Sequence, residues 1–150
     1  NPEAMSEHIE NNVRKTIIYE NRVNPKYYAH MSVLLDELIE FRRQKAIEYQ
    51  EYLEQIRNLA RKVIYPDQGG SNYPSSIDTG AKRAIFDNFG KDEVLAIKID
   101  TAIRYTKKAE WVGDRFKERE IANAVRQETQ GYDIDIQKVM ELAMAQREYQ

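Results

Sequence analysis

The chain has no cysteine in its 150 residues, which excludes disulfides and thiolate metal sites and leaves the redox compartment open. It has no apolar run near the roughly 20 residues that span a bilayer, and no signal-peptide pattern opens it, so a cytoplasmic location is expected. It has no excess of one charge sign. Its 23 basic residues stand against 25 acidic ones, and a net charge of −2 argues against a global field for nucleic acid or anionic membrane. Glycine and proline are scarce, at six and four, and they gather with serine and asparagine in residues 66–80.

Catalytic signatures are missing as well. A phosphate-cradling loop needs a glycine five positions ahead of a Gly-Lys-Ser/Thr end, because backbone N–H groups must converge on the phosphate. The Gly90-Lys91 pair is followed by Asp92, and Ile85 stands where that glycine would be. No lysine has an acid two positions before it, as a metal-dependent nuclease strand requires, and no G-x-S-x-G occurs. His8 and His30 lack partners at helical ligand spacing. Acid pairs such as Asp36/Glu40 and Glu51/Glu54 have the periodicity of solvated helix faces rather than of acid–base dyads. No catalytic, cofactor-binding or metal residue is assigned.

What the chain does have is helical periodicity. Ile9, Val13 and Ile17 recur every four residues and predict a helix over residues 3–19. Asn24-Pro25 reads as an N-cap followed by proline at the first helical position. Met31, Leu34, Leu35, Leu38 and Ile39 mark the next apolar face, and Tyr52, Leu53, Ile56, Leu59 and Val63 mark another. Residues 26–65 fit either one rod of about 60 Å or a hairpin broken near Ala46, and the hairpin buries more apolar surface. Helices over residues 81–89 and 91–106 follow, the first closed by Gly90. Two more are expected, over 114–129 and from Asp135 onward. The expected fold is all-α: about seven helices in an irregular bundle. It comprises an N-terminal hairpin part (1–65), a loop (66–80) and a C-terminal helical part (81–150), in one domain. The chain begins Asn1-Pro2-Glu3 and stops at Gln150 within a helical pattern, so it reads as a piece of a longer protein.

Residues 110–119, EWVGDRFKER, contain the one tryptophan. One reading makes Trp111 a plug between helices, Gly113 a helix break and Asp114 a cap. The other makes the stretch a working surface. Arg115, Arg119 and Arg126 fall on one face at i, i+4 and i+11, with Asp114, Glu118 and Glu120 offsetting the charge. That mixture suits a partner protein better than a phosphate track.

Three stretches in order resemble the C-terminal region of the R (HsdR) subunit of type I restriction enzymes, of the HindI-like subgroup. The first is Ile9-Glu10-Asn11-Asn12-Val13-Arg14-Lys15 with Ile17-Ile18. Next comes Asn24-Pro25-Lys26-Tyr27-Tyr28, leading into Met31-Ser32-Val33-Leu34-Leu35-Asp36-Glu37-Leu38-Ile39. The last is Trp111-Val112-Gly113-Asp114-Arg115-Phe116-Lys117-Glu118-Arg119, and Tyr49-Gln50-Glu51-Tyr52-Leu53 agrees between them. The likeness covers most of the chain, although within residues 66–80 only Tyr73-Pro74-Ser75-Ser76-Ile77 matches.

The resemblance implies a parent restriction endonuclease that moves DNA with ATP and Mg and cuts it. Its nuclease and motor folds would lie N-terminal to this region. This helical part would hold no cofactor and would dock the motor onto the modification (methyltransferase) and specificity subunits. The expected partner-binding residues are Trp111, Arg115, Phe116, Lys117 and Arg119, with Arg42 and Arg43 as a second patch. Two alternatives stand beside this. One is a DNA-contacting module using Arg14, Lys15, Arg42, Arg43, Lys107 and Lys108, and the other is a structural brace of the motor.

Overall fold

The computed structural model describes residues 2–67 and 72–150. Among the described residues there are seven α-helices, one short 3-10 helix and no strand, so the all-α expectation holds. Residues 68–71 of the expected loop lie outside the described residues. The chain divides into two compact units. One comprises Asn1–Asn21 and Lys26–Asn72, the other Arg22–Pro25 and Tyr73–Gln150.

The first unit is built from α1 (Pro2–Glu20), α2 (Pro25–Arg43) and α3 (Tyr49–Ile64). Val13 and Ile17 of α1, Tyr28, Met31 and Leu35 of α2, and Tyr52, Leu53, Ile56, Leu59 and Val63 of α3 form its core. Burying each large apolar side chain contributes about 1.5–3 kcal/mol. Helices α2 and α3 are separate, joined by residues 44–48. The stop of α2 has a defined cause. Lys45 takes φ of 55°, and the Ala46 N–H donates back to the Phe41 carbonyl at 2.9 Å. This is a Schellman closure with lysine where glycine is usual.

The second unit contains α4 (Gly80–Asn88), α5 (Glu93–Thr106), α6 (Arg115–Glu128), α7 (Ile136–Met144) and the 3-10 turn Arg147–Tyr149. Each α-helix begins on a side chain that accepts backbone N–H bonds: Thr79, Asp92, Asp114 and Asp135 respectively. Helix α4 packs on α5, α5 on α6, α6 on α7 and α7 back on α4. This ring surrounds a core of Ile85, Leu95, Ile99, Ile103, Trp111, Ile121, Val125 and Val139. Gly90 closes α4 as the sequence suggests, with φ of 86° and Lys91 N–H donating to the Phe86 carbonyl at 2.8 Å.

Residues 22–25 carry polar ties of their own. The buried Asn24 donates to Asp87 Oδ2 at 2.8 Å and accepts from the Asn88 amide at 2.8 Å. Tyr73 donates to the same Asp87 oxygen at 2.5 Å.

The last helix is shorter than its periodicity suggests. It stops at Met144 instead of running on through Gln150. Gln146 turns its amide onto the carbonyls of Leu142 at 2.9 Å and Val23 at 2.8 Å. Tyr149 then enters the core fully buried.

Candidate functional site

Residues 107–119 turn the chain from α5 into α6. After Lys107 caps α5, Glu110 takes φ of 57° and Gly113 takes φ of 90°. Gly113 is the residue suited to that conformation, having no Cβ. Between these two bends, Trp111 points inward and is 1% exposed. Its indole N–H donates to the Tyr149 carbonyl at 2.8 Å. Asp114 Oδ1 accepts from the N–H groups of Phe116 at 3.0 Å and Lys117 at 3.2 Å. Glu118 reaches back to the Gly113 N–H at 2.6 Å. Lys117 donates to the Ala109 carbonyl at 2.7 Å. The start of α6 is therefore held from both sides.

Behind the turn lies a polar cluster in which Asp100 and Tyr149 are buried and Arg104 and Glu148 reach the surface. The Tyr149 hydroxyl donates to Asp100 Oδ1 at 2.5 Å. Arg104 Nε bonds both Asp100 oxygens, at 2.9 and 3.0 Å, and its other end meets Glu148 at 2.7 Å. The guanidinium also lies 5.1 Å from the Tyr149 ring centre. Glu148 in turn accepts from the Ala81 N–H at the start of α4. Burial above all, and then the Asp100 hydrogen bond and charge, hold the Tyr149 hydroxyl far above its usual titration range. Burial pulls the Arg104 guanidinium down, but its bonds to Glu148 and Asp100 outweigh this and raise it. Every member has a partner within the cluster, as buried polar groups require.

The expected docking residues divide sharply. Trp111 is a core brace, so it is removed from the contact set, and Lys117 is committed to its own turn. Arg115, Phe116 and Arg119 are exposed, and Phe116 is 78% exposed. No hydrogen bond or ion pair engages the guanidinium of Arg115 or Arg119 among the described residues.

Arg42, in the first unit, is used internally. It pairs with Glu10 at 3.3 Å and lies 5.2 Å from the Tyr52 ring centre, while the Tyr52 hydroxyl donates to the Glu10 carboxylate. Burial first, and then Glu10, push that hydroxyl well above its ordinary range. Arg43 is exposed and pairs with Glu40 at 3.4 Å. The two arginines do not form one open patch.

Sequence reasoning pointed to the arginine stripe but missed what lies beside it. Arg115, Arg119 and Arg126 edge an open groove of about 650 Å³ between α6 and α7. Its floor is Ala122, Ile136, Met140 and Met144, and Glu118 and Glu141 also line it. The signal was available in the alternation of Arg119, Ala122 and Arg126 along one face of α6. The partner helix α7 supplies the rest through tertiary packing. The chain matches no protein-family model, no curated protein and no solved structure.

Proposed function

We propose that this chain is a helical assembly module of a type I restriction R subunit, docking the ATP-dependent motor and nuclease onto the modification–specificity core. The resemblance of three ordered stretches supports the family. One observation supports the docking role: exposed Phe116 stands between the unpaired Arg115 and Arg119 on a helix whose start is fixed by Trp111, Asp114 and Glu118. An exposed aromatic flanked by arginines that have no ion pair among the described residues is the composition of a binding anchor. ATP and Mg would act in the motor part of the parent protein.

The DNA-contacting alternative has less support. Of its six cations, Arg14, Arg42, Arg43 and Lys108 are paired with Asp36, Glu10, Glu40 and Glu120. A cation already paired with a carboxylate contributes little to phosphate binding.

The test is capture of the modification–specificity core by the immobilised chain. Arg115→Glu with Arg119→Glu is expected to abolish capture, whereas Arg43→Glu leaves it intact. Undiminished capture by the double variant removes this face from the function. A wild-type chain that never captures the core removes the restriction assignment itself.

A further inference from the structure

We infer that the groove between α6 and α7 receives an amphipathic helix carrying carboxylates along the edge that faces α6. This rests on the assembly reading above and names the chemistry of the partner segment. Three observations converge on it. The floor is apolar and adaptable: Met140 and Met144 have soft, unbranched side chains, and Ala122 leaves room for an incoming side chain. The rim on the α6 side is basic over about 16 Å, the rise from Arg115 to Arg126 at 1.5 Å per residue, which is three turns of a docked helix. Two of these rim cations, Arg115 and Arg119, have no hydrogen bond or ion pair among the described residues, whereas the nearby Glu118 is engaged by the Gly113 N–H.

Other occupants fit less well. A phosphate backbone gains nothing from Ile136 and the two methionines, and it is repelled by Glu118 and Glu141 in the same lining. An extended peptide gains most by adding to a sheet edge, and the described residues contain no strand. A helix lying in a groove uses apolar anchors at i, i+3, i+4 and i+7, and it places charge at both margins. Carboxylates spaced i and i+4 would meet Arg115 and Arg119, which have that spacing on α6. Glu141, on the α7 side, would favour a cation at the opposite margin. Charge of this kind sets orientation and partner choice more than bulk affinity.

The test uses the full chain and two labelled helical peptides in fluorescence anisotropy. Both carry the same Leu/Ala face. One has glutamates along one margin, and the other has lysines at the same positions. The glutamate peptide is expected to bind about tenfold tighter at low salt, and to lose most of that advantage at moderate salt. Arg115→Glu with Arg119→Glu reverses the preference, while circular dichroism confirms that the variant stays folded. Equal binding of the two peptides, or a preference that survives the double variant, overturns the proposal.

The two readings fail separately. If the core is captured but the peptides are not distinguished, the groove proposal falls and the assembly module stands. If the peptide preference reverses but no core is captured, the acidic-helix groove stands and the restriction assignment falls.

Discussion

Trp111 donates its indole N–H to the main-chain carbonyl of Tyr149, 38 residues later, at 2.8 Å inside the core of the second unit. The bond ties the turn that launches α6 to the final turn of the chain, so it should matter energetically. Trp111→Phe keeps most of the apolar surface and leaves a buried carbonyl unpaired, which costs about 1–3 kcal/mol. Trp111→Ala adds a cavity and raises the loss to about 3–5 kcal/mol. Urea unfolding followed by circular dichroism measures both. A phenylalanine variant within about 0.5 kcal/mol of wild type would show that the bond contributes nothing.

The two units repeat one device. In each, a buried tyrosine donates to a carboxylate that also holds an arginine, and the arginine lies against the tyrosine ring: Tyr52, Glu10 and Arg42, then Tyr149, Asp100 and Arg104. Both hydroxyls are raised from an ordinary value of 10.0. Below pH ~10 the folded and unfolded chains both keep these protons, and the stabilisation is complete. Above it the unfolded chain releases protons that the folded chain retains, so stability falls as pH rises. The slope approaches about 1.4 kcal/mol per pH unit for each tyrosine. Unfolding free energies between about pH 9 and about pH 11.5 should decline for wild type and flatten for Tyr149→Phe plus Tyr52→Phe. Equal slopes in the two proteins would rule the tyrosines out as the cause.

Much of this architecture was legible because it is written locally. Asp92, Asp114 and Asp135 sit at helix starts where a short acceptor reaches free N–H groups, and Gly90 sits where φ is positive. The stop of α2 was blurred because Lys45, not glycine, occupies the left-handed position. The early end of α7 was invisible because its cause is tertiary: Gln146 bonding Val23 and Tyr149 meeting Asp100. Asp100 gave a clue by interrupting the inward face shared by Ala96, Ile99 and Ile103, but its partner lies 49 residues away. The arginine stripe could be read from spacing alone. The inward direction of Trp111 and the groove beside α6 depend on how helices pack around the ring.

The lysine at the end of α2 yields a prediction of opposite sign. A side chain at φ of 55° clashes with its own carbonyl in a way that glycine does not, at about 1 kcal/mol. Lys45 is exposed, so little contact is lost on its removal. Lys45→Gly is therefore expected to raise stability by about 0.5 kcal/mol, once the extra freedom of glycine in the unfolded chain is set against the relief. Lys45→Val, β-branched in the same conformation, should lower it. A destabilised glycine variant in thermal denaturation would mean that Lys45 makes a contribution beyond its backbone.

The arginines of α6 provide the sharpest separation of binding from folding. Arg115 is the first residue of α6, where a cation faces the positive end of the helix dipole, and among the described residues neither it nor Arg119 is paired. Replacing Arg115 with glutamate reverses an unfavourable dipole interaction and should stabilise by about 0.3–0.5 kcal/mol. Arg119→Glu, on the exposed face one turn later, should fall within about 0.5 kcal/mol of neutral. The double variant is thus expected to melt at or slightly above the wild-type temperature while losing its partner. A fall of more than about 1 kcal/mol would mean instead that the stripe serves the fold, and its unpaired charge could no longer be read as a surface held open for an acidic partner.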